Sequence, residues 1–261
     1  MDYSVLLFVA ALPVVVILLM VYYRDKNKEP MSLLIKLFLS GFVSCALVVF
    51  ASKILGSFLP FMDSDLTYKN SVDVFLYSFI GVALVEELCK WFMMYIISYN
   101  HKEFDELYDG IVYAVFVSLG FAFIENILYI IMTSSLSTAF LRAISAVPSH
   151  ACDAIFMGYY VGLAKQCGLS RKRRLEKKYL WLSIIVPMIL HGVYDYCLMS
   201  GYSILVGVFI AFVIFLYIIS IHKVLYISKN NRRIKFRNRF CGNCGKAVTG
   251  EFCAYCGQRQ F

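Results

Sequence analysis

Charge is what this sequence has little of. Of 261 residues 16% are charged and 61% are hydrophobic, with a mean hydropathy of +0.72. Soluble domains carry about 25% charged and about 45–50% apolar residues, so a water-soluble globular protein is excluded at the outset. Disorder is excluded too, because it requires low hydrophobicity. Alternating segments of ~10 residues are missing, which excludes a β-barrel. The 5 prolines and 15 glycines make no paired set of helix breaks, and no internal repeat is visible, so an inverted-repeat transporter has no support. The start, Met1-Asp2-Tyr3-Ser4, lacks the cationic segment of a cleaved signal peptide. The class that remains is an all-α polytopic membrane protein.

Seven apolar stretches approach the ~20 residues that cross a bilayer. They run approximately Val5–Tyr23, Leu33–Leu55, Val72–Ser98, Ile111–Thr133, Ala139–Ala164, Tyr179–Met199 and Ser203–Leu225. The net charge of +8 is unevenly placed. About 20 of the 25 cations lie in Arg24–Ser32, Asn100–Asp109, Lys165–Lys178 and the tail after Lys223, which alternate onto one side. Within Asn100–Asp109 the acids Glu103, Asp105 and Glu106 outnumber Lys102, but acids count little in this rule. The opposite loops, Gly56–Ser71 (with Asp63 and Asp65), Ser134–Ser137 and Ser200–Tyr202, are poor in cations. The expectation is an amino terminus outside and a carboxy terminus inside. Basic blocks beside spans read as a topology signal and an attraction to anionic lipid, rather than to nucleic acid.

The organisation expected is a transmembrane domain over 1–227, a basic linker over 228–240 and a small module over 241–261. In that module Cys241, Cys244, Cys253 and Cys256 form C-x2-C-x8-C-x2-C, and Gly245 and Gly257 follow the two pairs. Two such turns suit a closed zinc ribbon with four thiolate ligands and a hairpin turn at Thr249-Gly250. Disulfides are the competing reading, but thiols on the cytoplasmic side stay reduced. A closed site is structural; the ribbon and its basic linker are a candidate surface for a cytoplasmic partner. Cys45, Cys89, Cys152, Cys167 and Cys197 read as small membrane hydrophobes.

The informative residues are the charges inside apolar stretches. Glu86, Glu87 and Lys90 lie in the third, Glu125 (beside Asn126) in the fourth, His150 and Asp153 in the fifth, His191 and Asp195 in the sixth. Each acid or lysine costs ~2.5–3.5 kcal/mol at the centre of an isolated helix, so six unpaired ones would oppose insertion by about 15 kcal/mol. Glu86/Lys90, His150/Asp153 and His191/Asp195 are three or four apart, so each pair shares a helix face. At ~1.5 Å per residue, Glu86 and Glu125 lie ~21 Å, His150 ~17 Å and His191 ~18 Å into their spans. Ionisable groups from four helices therefore share one level of a ~30 Å core. Isolated ion pairs or packing histidines need no common depth. Phe121, Phe123 and Tyr129 read as packing residues, and Arg142 as a snorkelling cation.

Such a cluster allows proton- or cation-coupled transport, or hydrolysis by an activated water. The motifs Glu86-Glu87-x-x-Lys90, Phe121-x-x-x-Glu125, His150 with Asp153 and His191 with Asp195 fall in order over about Val72–Met199. In this they resemble the PrsW family of intramembrane proteases, within the group that includes the CAAX prenyl proteases and the bacterial CPBP (Abi) proteins. The resemblance implies peptide-bond hydrolysis in or at the edge of a bacterial plasma membrane. It further implies site-1 cleavage of a single-pass, membrane-anchored anti-sigma factor in a stress response. The expected roles give water activation to Glu86 or Glu87 helped by His150, and oxyanion stabilisation to His191 with Asp195. Lys90 holds the Glu pair, and Glu125 forms a second polar wall. A metal variant places a catalytic zinc on Glu125, His150 and His191. A coupled transporter and an endoprotease for prenylated C-termini stand as alternatives.

Overall fold

The computed structural model describes residues 3–62, 70–231, 234, 239–241, 243–248 and 252–259. Asp63, Asp65 and the Thr249-Gly250 turn lie outside the described residues. The helices are α1 (Tyr3–Arg24), α2 (Met31–Gly56), α3 (Ser71–Leu76), α4 (Val85–Ser98), α5 (Leu107–Thr133), α6 (Leu136–Ile144), α7 (Ala146–Leu169), α8 (Arg173–Met199) and α9 (Ser203–Lys229). Helices such as α5 and α8 start earlier than the apolar stretches that announce them, because hydropathy marks lipid contact while helical hydrogen bonding continues into the flanking polar residues.

Among the described residues five helices, α1, α2, α5, α8 and α9, are long and apolar enough to cross a membrane. The other two expected spans are helical but irregular. The third is a continuous helix from Ser71 to Ser98 whose middle, Tyr77–Leu84, is π-helical. The fifth is two helices, not one: α6 and α7 part at Ser145. Pro148 gives the reason. Proline has no N–H for the carbonyl four residues back and its ring crowds that carbonyl. The carbonyl is that of Ile144, the last residue of α6, and it accepts instead from the Tyr217 hydroxyl at 2.9 Å.

α5 is the central helix. It buries 56% of its most apolar window, against 17% for α9 and 22% for α1. It packs on α7 and α2 at glycine contacts: a Cβ on Gly158 would collide with the Gly110 carbonyl, and one on Gly120 with the Phe38 carbonyl. Small residues let backbones approach where lipid provides no hydrophobic drive to association.

The cation-rich loops gather at one end of the bundle. Lys26 Nζ donates to the Lys229 carbonyl at 3.0 Å, and the Tyr99 hydroxyl donates to Glu176 at 2.9 Å. The tail holds two short antiparallel strands, β1 (Arg239–Phe240) and β2 (Ala247–Val248).

Candidate active site

The π-helical turns end at Leu84, so α4 opens with Glu86 and Glu87 in its first turn and Lys90 one turn on. Lys90 Nζ donates to Glu86 Oε2 at 3.0 Å and Glu87 Oε1 at 2.8 Å, and it lies 4.1 Å from the centre of the Phe121 ring. Its third polar neighbour is His150 Nδ1 at 3.2 Å. An ammonium has nothing to accept with, so Nδ1 is the acceptor and the proton of a neutral His150 sits on Nε2. That Nε2–H donates to Glu125 Oε2 at 2.9 Å.

His191, from α8, completes the centre. Its Nδ1–H donates to Glu87 Oε1 at 2.9 Å. Its Nε2 lies 3.3 Å from Asp195 Oδ2 and 3.9 Å from Glu86 Oε2. The Asp195 contact is an ion-pair distance without hydrogen-bond alignment, so Oδ2 stays unpartnered. The two imidazole rings stand edge to face, 5.2 Å apart. Asp153 is buried beside them, with Oδ1 lacking a hydrogen-bond partner. All eight residues singled out from sequence thus lie in one neighbourhood, supplied by α4, α5, α7 and α8.

A cavity of about 710 Å³ opens onto this cluster. Glu86, Glu125, His150, Asp153, His191 and Asp195 line it. Glu87 and Lys90 do not: both are fully buried behind the wall. The lining continues through Ser52, Met62, Thr138 and Met199, toward the end opposite the cation-rich loops.

Arg142 corrects the sequence reading. It does not snorkel; its Nε donates to Asn126 Oδ1 at 2.8 Å and its Nη2 lies 2.8 Å from Glu125 Oε2. The guanidinium also covers the Tyr129 ring at 3.8 Å. Phe121 likewise touches the charged centre. The signal available in the sequence was a cation inside the fifth apolar stretch, spaced to face the Glu125-Asn126 pair once α6 folds back onto α5.

Glu86, Glu87, His150 and His191 each bring a ligand-type atom within 4.8 Å of the others. Glu125 is not in that set, so among the described residues the trio Glu125, His150 and His191 does not converge. Lys90 contacts three of the four convergent groups. Both His150 nitrogens are engaged, and Glu87 Oε1 already accepts twice. As arranged, Lys90 takes one lone pair each from Glu86, Glu87 and His150, so an ion held by all four groups would have to displace the ammonium.

In the tail, the four cysteine sulfurs lie within 4.8 Å of one another, and none is in a disulfide. Cys241 Sγ is 3.4 Å from Cys256 Sγ, and Cys244 Sγ is 3.5 Å from Cys253 Sγ. The Asn243 amide donates to Cys241 Sγ at 3.4 Å. Gly245 and Gly257 take positive φ of 70° and 69°, a backbone that glycine adopts without strain. This group can hold a metal, and its all-thiolate chemistry suits zinc.

Comparison with known proteins decides between the chemistries the residues allow. A profile described as PrsW family intramembrane metalloprotease matches residues 29–220. This chain belongs to the PrsW family. It is 38% identical to Protease PrsW of Oceanobacillus iheyensis over 84% of this chain and 94% of that protein. It is 40% identical to Protease PrsW of Geobacillus kaustophilus, over 72% and 77% respectively. Protease PrsW of Clostridioides difficile is 33% identical over 89% and 95%. No solved structure matches the chain. It is therefore a multi-pass integral membrane protein and an intramembrane protease. The family match reaches beyond the motif-bearing core on both sides, taking in α2 and most of α9, and leaves the ribbon outside.

Proposed function

We propose that the chain hydrolyses a peptide bond in a single-pass membrane protein, using water activated by Glu86 without a catalytic metal. The observation that carries this is the split of the Glu pair: Glu86 lines the cavity and Glu87 is sealed behind it with Lys90. A base must reach the water it deprotonates. Glu86 takes a proton from a water in the cavity, and the resulting hydroxide attacks the scissile carbonyl carbon. The oxyanion accepts from the Nε2–H of His191, whose ring is oriented by Glu87 through Nδ1–H and carries both protons as an imidazolium. The proton on Glu86 then passes to the leaving amine. Lys90 keeps both carboxylates in place, Asp195 faces His191, and Asp153 adds a polar wall. Glu125, held by Arg142, fixes the tautomer of His150.

A zinc on Glu125, His150 and His191 is not adopted, because those groups do not converge and Lys90 occupies the set that does.

By the distribution of cations the tail faces the cytoplasm, the amino terminus lies outside, and the helices make seven crossings. The cavity then extends toward the outer boundary, where a substrate helix frays and exposes its carbonyls. A membrane-anchored anti-sigma factor cut at its first site on that side fits this geometry. The ribbon, loaded with zinc, is a structural cytoplasmic module.

The test compares Glu86→Gln with Glu87→Gln in membranes that contain a tagged single-pass substrate. Glu86→Gln lowers the cleavage rate by about 10²–10⁴-fold with the substrate still bound, consistent with loss of a general base. New amino termini mapped by mass spectrometry fall at the outer boundary. Undiminished cleavage by Glu86→Gln ends the reading, as does a cut on the cytoplasmic side.

A further inference from the structure

A second cluster of buried acids lies at the cation-rich end, away from the active site. Asp25 follows α1, Glu106 caps α5 and Asp109 sits in its first turn. Their exposures are 3%, 4% and 1%, and each brings an oxygen within 4.8 Å of the other two. We infer that this cluster binds one hard divalent cation, Ca²⁺ or Mg²⁺, through Asp25, Glu106 and Asp109.

Hydrogen bonds account for four of the six carboxylate oxygens, and both oxygens of Glu106 accept from asparagine side chains. Asp109 Oδ2 accepts from the Glu106 and Asp105 amides at 2.7 and 3.0 Å, and Asp25 Oδ1 from the Asn27 amide at 3.2 Å. Asp25 Oδ2 and Asp109 Oδ1 are also buried and have no hydrogen-bond partner. A buried, ionised and unpaired oxygen is costly. Among the described residues no cation donates a hydrogen bond to either oxygen. Lys26 Nζ is spent on the Lys229 carbonyl, and Lys28 Nζ on the Tyr22 and Asp25 carbonyls. A fourth buried acid, Glu29, accepts from the Tyr113 hydroxyl at 2.6 Å close by. An excess of carboxylate oxygen that excludes water and lacks thiols and imidazoles is the donor set of hard cations. Opposite oxygens on such an ion, at about 2.4 Å each, stand no more than about 4.8 Å apart, and the three carboxylates each bring an oxygen within that limit.

The ion would tie three segments together. Asn27 and Asn231 both donate to Glu106, and the Ile234 amide donates to the Asp105 carbonyl at 2.5 Å. Asn231 and Ile234 begin the path to the ribbon, so an occupied site anchors the root of the tail to the head of α5.

The test uses the full chain purified in detergent, with Tb³⁺ as a tyrosine-sensitised probe displaced by Ca²⁺ or Mg²⁺. The expected result is saturable binding of one ion per chain. Asp25→Asn weakens it by about tenfold or more through the lost ligand charge, and Glu86→Gln leaves it unchanged. Asp109→Asn serves as the second ligand variant if Asp25→Asn does not fold. Absence of saturable binding by the wild type overturns the inference, as does full affinity in a folded ligand variant. Binding lost in Glu86→Gln but kept in Asp25→Asn also overturns it, since the ion then belongs to the active-site cluster.

Discussion

Lys90 and His150 stand 60 positions apart in the chain, yet Nζ and Nδ1 meet at 3.2 Å. This one contact binds α4 to α7, assigns the His150 tautomer and fills the space among the carboxylates. Removing the ammonium leaves two glutamates facing each other in a buried site. Lys90→Met should cost about 3–5 kcal/mol of stability, the usual effect of stripping one partner from a buried pair, and abolish cleavage. In a Glu87→Gln background the same change should cost clearly less. Unfolding measured in detergent for the four proteins of the cycle checks both statements.

Glu125 works through His150. Glu125→Gln keeps a carbonyl oxygen for the Nε2–H, whereas Glu125→Leu leaves that donor buried and unpaired at about 1–3 kcal/mol. The glutamine variant should therefore retain far more cleavage than the leucine variant. Equal rates would show that the tautomer of His150 does not matter.

Site geometry depends on how closely α5 and α7 approach, since one carries Glu125 and the other His150. Gly158→Ala inserts a methyl against the Gly110 carbonyl and should destabilise the protein by about 1–3 kcal/mol. Cleavage should fall more steeply than stability. Gly207→Ala, where a Cβ meets open space, should change neither and serves as the control.

Zinc counted per chain separates the two metal questions. The intact chain should carry one zinc, and deletion of 241–261 should leave none, with cleavage by the membrane domain intact. A tightly bound zinc remaining after the deletion, and required for cleavage, would restore the metal mechanism.

Glu29 makes stability pH-dependent. Burial, then the neighbouring acids, raise its carboxyl to about 7 from an ordinary 4.5. The folded state thus holds the proton more tightly than the unfolded one. Its contribution is fully present below about 4.5 and is lost as pH rises through about 7. In chelator, melting temperature should fall from pH 5.5 to pH 8, and Glu29→Gln should flatten that fall.

Much of this protein could be read from its sequence. Composition settled the membrane class, because lipid admits only chains whose backbone bonds are satisfied internally. The acids and histidines betrayed the site, because ionisable groups in apolar stretches are too costly to be accidental. The four cysteines announced their own cluster by spacing alone.

What remained hidden required partners distant in sequence. The π-helical stretch before Glu86 leaves no pattern in residue types, yet it precedes the turn that sends Glu86 to the cavity and Glu87 behind it. Arg142 looked like a lipid-facing cation until α6 placed it against Glu125. Asp25, Glu106 and Asp109 are far apart in sequence or unpatterned, and only the meeting of three chain segments brings their oxygens together. Residue identity fixes the cost of burying a group; only the packing of helices decides which neighbour offsets that cost, and so which side of the wall each charge occupies.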